Sequence, residues 1–345
     1  MKHMVFAHAR RRGARLSGWL RIALLNLLGG LFAAALAAVL LFSLLGRASG
    51  AEPDEGLRSH DHYLVGKVIT REGLPVQGPM PDGALPVVSI AIDSAQAGWE
   101  GFGGIYYQNN TDYRIDFAAL SGGPPPLPAA AAEGPQVLIY HTHTSEAYSS
   151  GLYYYDPAAS TYLEDPAKNV VAVGDTLAAG LERLGVKTLQ DATPCDRPVF
   201  NQSYANSLSL AGRLLEQHPS IRLVVDLHRD SMINQEGIKY RPLLQVDGVA
   251  TAQLMLVVGS PGSGLEHPNW QQNLQTAMRL YALMEELAPG IMRPIHISKN
   301  RYNQHLAPGA ILVEVGSCAN TLEQAQAAAE LLAEGIAQLL AEAQG

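Results

Sequence analysis

His141, His143 and Glu146 lie in the stretch HTHTSE, directly after the apolar run VLIY of residues 137–140. A second apolar run, LVVDLH, ends on His228 with Asp226, Arg229 and Asp230 beside it, and a third, ILVEVG, carries Glu314 between two valines. Imidazole nitrogens and carboxylate oxygens are the donors a catalytic zinc takes, commonly three of them, leaving a fourth position for water whose pKa falls towards about 7. A further glutamate nearby can take that water's proton and hand it to a leaving amine. His143, Glu146 and His228 make such a ligand set, with Glu314 as the base. A single histidine at a strand end is more often structural than a ligand, so none of these is strong alone. Glu314 is harder to set aside, because an unpaired carboxylate among apolar neighbours carries a large desolvation cost and needs a cation, a metal or a proton. If residues 137–143 stay extended, His141 and His143 share a face, so either reaches the metal; His141 is favoured as a support for the ligands. Arg229 is a candidate anchor for a substrate oxygen or a partner of Asp226 or Asp230. Asn303, between Tyr302 and Gln304, lines a groove or caps a loop.

These residues need a frame that brings three strand ends together. Strands are expected at QVLIYH, IRLVVDLH, QLMLVVG and AILVEVG. Helices are expected at NVVAVGDTLAAGLERLG, ending on Gly185, at NSLSLAGRLLEQHP, stopped by Pro219, at WQQNLQTAMRLYALMEELAPG, and at TLEQAQAAAELLAEGIAQLLAEAQ, with Asn320 a candidate for its N-cap. Buried strands alternating with helices give an α/β fold with a mixed, mostly parallel sheet flanked by helices. Sites in such sheets lie beyond the carboxyl ends of the strands, where the three clusters fall. No HExxH helix, GxSxG elbow or phosphate-binding glycine loop occurs, which removes several competing chemistries.

Residues 22–46 carry no charge and are long enough to span a membrane. The run exceeds the usual signal-peptide core, so a retained anchor is favoured over a cleaved signal. Five arginines precede it and Arg47 follows, which places residues 1–21 in the cytoplasm and everything from residue 47 outside. Seven of the 24 Lys and Arg and none of the 32 Asp and Glu fall in the first 50 residues. The exported part is therefore acidic, and nucleic acid is excluded as a partner. Cys195 and Cys318 are the two cysteines, and spacing does not decide whether they pair. Residues 47–120 hold short β-like runs between Gly, Pro and Asp and read as a small β-rich membrane-proximal region. Residues 121–135, SGGPPPLPAAAAEGP, read as a semi-extended linker, and 136–345 as the catalytic domain.

IYHTHTSEAY, VVDLHRDS, HPNWQQNL and RYNQHLAPGAILVEVGSCANTLEQA, together with the N-terminal anchor, resemble the stage II sporulation protein P family over roughly residues 135–340. The resemblance implies a membrane-anchored, zinc-dependent N-acetylmuramoyl-L-alanine amidase with an amidase-like fold. Its substrate would be peptidoglycan, cut between the muramic acid lactyl group and L-alanine, with cutting of peptide cross-links as well. It further implies a single-pass membrane protein acting in septal wall thinning and engulfment during sporulation, with stage II sporulation proteins D and M as partners. On this chain the family's first-strand histidine matches His141 or His143, its second-strand histidine His228 and its final-strand glutamate Glu314. Two other readings stay open from the residues: a zinc endopeptidase, and a wall-binding or regulatory protein without turnover.

Overall fold

The structure, a computed structural model, describes residues 80–131 and 133–343. The expected anchor at 22–46, the basic segment before it and residues 47–79 lie outside the described residues. No helix among the described residues is long and apolar enough to cross a membrane.

In chain order the elements are β1 (Leu85–Ile90), β2 (Glu100–Phe102), β3 (Ile105–Asn109), α1 (Phe117–Leu120), β4 (Val137–Tyr140), β5 (Tyr154–Tyr155), α2 (Val170–Arg183), β6 (Thr188–Gln190), α3 (Ser203–Gln217), β7 (Leu223–Asp230), β8 (Lys239–Val246), β9 (Val249–Ala252), β10 (Leu254–Val258), α4 (Trp270–Leu287), β11 (Ile295–Ile297), β12 (Ala310–Ser317) and α5 (Leu322–Glu342). An eight-stranded sheet runs in the order β2-β3-β11-β10-β12-β7-β4-β6. Every neighbouring pair in it is parallel except β2–β3 and β10–β12. The sheet is thus mixed and mostly parallel, as its apolar strands predict.

Alternate residues of the central strands serve the two faces. Ile139, Val225, Leu227, Val313 and Val315 pack with α2, α4 and α5, whereas Leu138, Tyr140, Val224 and Ala310 pack on Ala211 of α3. The helices start and stop where local chemistry dictates. Asn169 caps α2 by accepting from Val171 N (3.0 Å), and Gly185, at φ +80°, ends it in the left-handed region. For α5 the cap is Thr321, in a reciprocal box with Gln324, so Asn320 is not the N-cap. Asn320 instead holds the turn out of β12, accepting from Ser317 N (2.8 Å) and donating to Pro242 O (3.1 Å).

Two features differ from the sequence reading. A second, four-stranded sheet, β5-β1-β8-β9, is formed largely by β8 and β9, whose residues KYRPLLQV and VATA mix charge, proline and small side chains and show no strand period. The boundary expected near residue 121 does not divide the described residues either. β3 pairs in parallel with β11, and β1 with β8, so strands from the expected membrane-proximal region are built into the two sheets. The proline-rich stretch runs along the same unit: Leu127 packs on the core, and Pro128 O accepts from Arg222 Nε (2.6 Å).

Candidate active site

β12, β7 and β4 are neighbours, so three segments distant in the chain meet at one place in the sheet. Glu314 stands opposite His228 in the parallel register, and Asp226 opposite Tyr140. Side chains at matched positions share a face, and Asp226 and His228, two residues apart in a strand, share it too. Below them Thr142 donates to Asp226 through its N–H (2.9 Å) and its hydroxyl (2.6 Å), and its hydroxyl also meets Ser207 Oγ of α3 (2.8 Å). The site therefore lies on the face of the sheet that α3 covers.

Glu146 arrives from the turn after β4. Its Oε2 accepts from the Arg229 backbone N–H (3.1 Å) and lies 3.2 Å from His228 Nδ1; the other ring nitrogen, Nε2, lies 3.0 Å from Asp226 Oδ1. Burial disfavours a charge on His228, but Asp226 and Glu146 on its two sides outweigh that and hold its pKa well above the ordinary histidine value. Burial likewise works to raise the Glu146 pKa, and the pull of His228, then Arg229 and His143, brings it down to about 2. Glu314 has the opposite balance. Burial and then the charge of Asp230 push its carboxyl up to about 8, against the weaker pull of His228. It is 0% exposed, and neither oxygen accepts a hydrogen bond from the described residues.

His143 stacks on Phe200, ring centres 4.6 Å apart, and meets Tyr204 and His228 edge-on at 5.6 and 5.4 Å. Its turn is pinned by buried Asp196, which accepts from Thr144 Oγ1 (2.6 Å), Ser145 N (3.0 Å) and the Ser145 hydroxyl. Thus His143, Glu146, His228 and Glu314 are brought together, all at most 2% exposed. His141 is not with them. β4 ends at Tyr140 and residues 142–145 turn, so the extended chain that would align His141 with His143 does not exist. His141 faces α2, where a Cβ on Gly174 would come within 2.9 Å of its ring, and its Nδ1 lies 3.0 Å from Leu227 O.

Arg229 is spent on the main chain. Its Nε donates to Ala147 O (3.1 Å) and Nη2 to Thr161 O (2.9 Å), while its guanidinium lies over the Tyr162 ring. It pairs with neither Asp226 nor Asp230; Asp230 is paired with buried Arg293 instead. Asn303 donates to Tyr204 O (3.0 Å) and Ser207 Oγ (2.8 Å), tying its loop to α3. Both cysteines are buried and free, and burial pushes the Cys195 thiol up to about 12. The roles of three contributors went unread in the sequence. Asp226 had a signal, since a carboxylate two residues before His228 in a strand must share its face. Asp196 and Arg293 had none, because each reaches the site from a loop without periodicity.

The donors suit zinc in chemistry, two imidazoles and a carboxylate. Two donors on one tetrahedral zinc stand about 3.3 Å apart, given bonds of about 2.0–2.1 Å. The Glu146 Oε2 to His228 Nδ1 separation is 3.2 Å, and Asp226 backs the far nitrogen of His228 as a carboxylate behind a ligating histidine does. As the side chains are placed, no three His, Cys, Asp or Glu among the described residues could hold a metal ion. The fit therefore rests on donor chemistry and on that one donor-to-donor distance.

A mixed α/β sheet that gathers two histidines and two glutamates in and beside its central strands defines the class: an α/β protein with a buried histidine–carboxylate site. The family model for Stage II sporulation protein P (SpoIIP) matches residues 106–337, and the chain belongs to that family. A Stage II sporulation protein P from Bacillus subtilis (strain 168) is 28% identical over 216 residues, which cover 59% of this chain and 50% of that relative. The match thus spans half of the relative's length. Solved structures similar to this one include the N-acetylmuramyl-L-alanine amidase Ami1 from Mycobacterium smegmatis (16% identity, 62% of this chain, 99% of that one, TM-score 0.37). Another is the CwlD amidase from Clostridioides difficile, solved in complex with the GerS lipoprotein (12% identity, 60% and 98% covered, TM-score 0.37).

Proposed function

We propose that this protein is a zinc-dependent peptidoglycan hydrolase that cleaves the amide between the muramic acid lactyl group and L-alanine. The observation that carries the reading is Glu314: a fully buried carboxyl without a hydrogen bond from the described residues, in register with a histidine that two carboxylates flank. Such a group is costly to bury unless a cation or a reaction uses it. His143, Glu146 and His228 would hold the metal, which when bound lowers the pKa of water and polarises a carbonyl. Asp226 orients His228, and is itself held by Thr142. Arg229 fixes Glu146 through its backbone N–H, which keeps that carboxylate aimed at His228. Glu314, buried beside His228 with a raised pKa, would take a proton from water and return it to the leaving amine.

Membership of the SpoIIP family supports action on septal wall during sporulation. Anchoring by residues 22–46, an extracytoplasmic catalytic domain and partnership with stage II sporulation proteins D and M follow as parts of the same proposal. The test is digestion of purified wall by the full chain in detergent, comparing zinc-loaded protein, chelated protein and Glu314→Gln, with mass analysis of products. Stem peptides and peptide-free glycan released only with both zinc and Glu314 are expected. Cut cross-links alone would make the protein an endopeptidase, and wall binding without products would make it a regulator.

A further inference from the structure

Five Lys or Arg side chains among the described residues are at least nine-tenths buried: Arg222, Arg229, Lys239, Arg241 and Arg293. Each arginine donates to main-chain carbonyls or a carboxylate. Lys239 differs. It is 5% exposed, yet no carboxylate among the described residues pairs with it, and its ammonium rests on the Tyr155 ring, 3.7 Å from the centre. That ring is held in place by a hydrogen bond from its hydroxyl to Gly237 O. A π face offers an ammonium attraction but takes none of its three N–H donors. Burial lowers the Lys239 pKa, with Cys318 pulling it up and Arg229 down, and no carboxylate contributes.

This lysine lines a groove of about 750 Å³, with Tyr148, Ser149, Thr161 and Cys318 among its walls. The first turn of α5 opens onto the same groove, adding the positive end of a long helix. Exposed Asp156 and Glu323 stand at its rim, where an amino group would be welcome. The groove adjoins the site: Arg229 donates to Thr161 O in the groove wall and, by its backbone, to Glu146.

We propose that this groove is a binding subsite for a short peptide, with Lys239 as the anchor for the peptide's free carboxylate. Its identification with a wall stem peptide rests on the hydrolase reading; the carboxylate site itself does not.

The test is calorimetry on the full chain in detergent, carrying Glu314→Gln so that nothing turns over. The probes are the tripeptide Ala-Glu-Lys, its counterpart without carboxylates Ala-Gln-Lys-amide, and inorganic phosphate. K239M is expected to weaken Ala-Glu-Lys by about tenfold or more, the loss of a charge-assisted hydrogen bond, while K239R stays within about threefold of the parent. The amidated peptide should bind weakly to the parent and equally weakly to K239M. Unchanged binding of Ala-Glu-Lys by a folded K239M overturns the proposal, and so does displacement of the peptide by phosphate at equal concentration, which would mark a general anion site. Wall digestion by the Glu314 protein is scored separately. Digestion without peptide binding removes the groove and keeps the hydrolase, whereas Lys239-dependent binding without digestion does the reverse.

Discussion

At the residue scale the site is a contest over charge in a dry space. Glu146 and Glu314 are both buried glutamates beside His228, yet one is pulled down to about 2 and the other pushed up to about 8. The difference is their neighbours: Glu146 touches His228 and an Arg229 N–H, whereas Glu314 faces Asp230. Asp226 is the residue whose removal tests this arrangement most directly. Asp226→Asn keeps the shape but takes away the charge behind His228, so zinc affinity, measured by competition with a chelating dye, is expected to fall about 10–100-fold with the fold retained. An affinity within twofold of the parent would mean that His228 is not oriented through Asp226. The four clustered residues were legible because each stands within or just after an apolar run. The separation of His141 from His143 was not, since it depends on where β4 stops, and the HTHTSE residues are compatible with either an extended chain or a turn.

At the element scale, α2 and α5 cross closely because small residues meet there. A Cβ on Gly180 would stand 2.7 Å from that of Ala333, closer than real side chains approach. Gly180→Val is expected to push the helices apart and lower stability by about 2 kcal/mol or more, read as a shift of the urea midpoint, despite the better helix propensity of valine. An unshifted midpoint would show that the two helices can part without cost. The helices and the apolar strands were readable from period and caps. β8 and β9 were not: Lys239, Arg241 and Pro242 interrupt any alternation, and both charged side chains find their place only in the tertiary structure, on Tyr155 and on the Ala319 carbonyl.

At the scale of the molecule, the unit that carries the site includes residues well before 136. β3 covers the free edge of β11, and β1 that of β8. A fragment beginning at residue 135 would expose both edges, and exposed edges pair with other chains. Such a fragment is expected to aggregate or to be cut rapidly by protease, while one beginning at residue 80 stays monomeric on size exclusion. Equal behaviour of the two would mean that these edge strands are dispensable. Short β-like runs among Gly and Pro announced strands in this region, but nothing local in them named β11 as a neighbour, because parallel pairing joins positions far apart in sequence.

The placing of β12 also bears on the order of assembly. It sits between β7 and β10, in the middle of the sheet, although it is the final strand of that sheet along the chain. A chain threading out residue by residue cannot close the sheet until Ala310–Ser317 arrive, and Glu314 is among them. The earlier segments, however well they fold locally, are two unjoined half-sheets without Glu314. On the proposed hydrolase reading, the protein would thus be harmless to the wall throughout its emergence and become competent in a single late event.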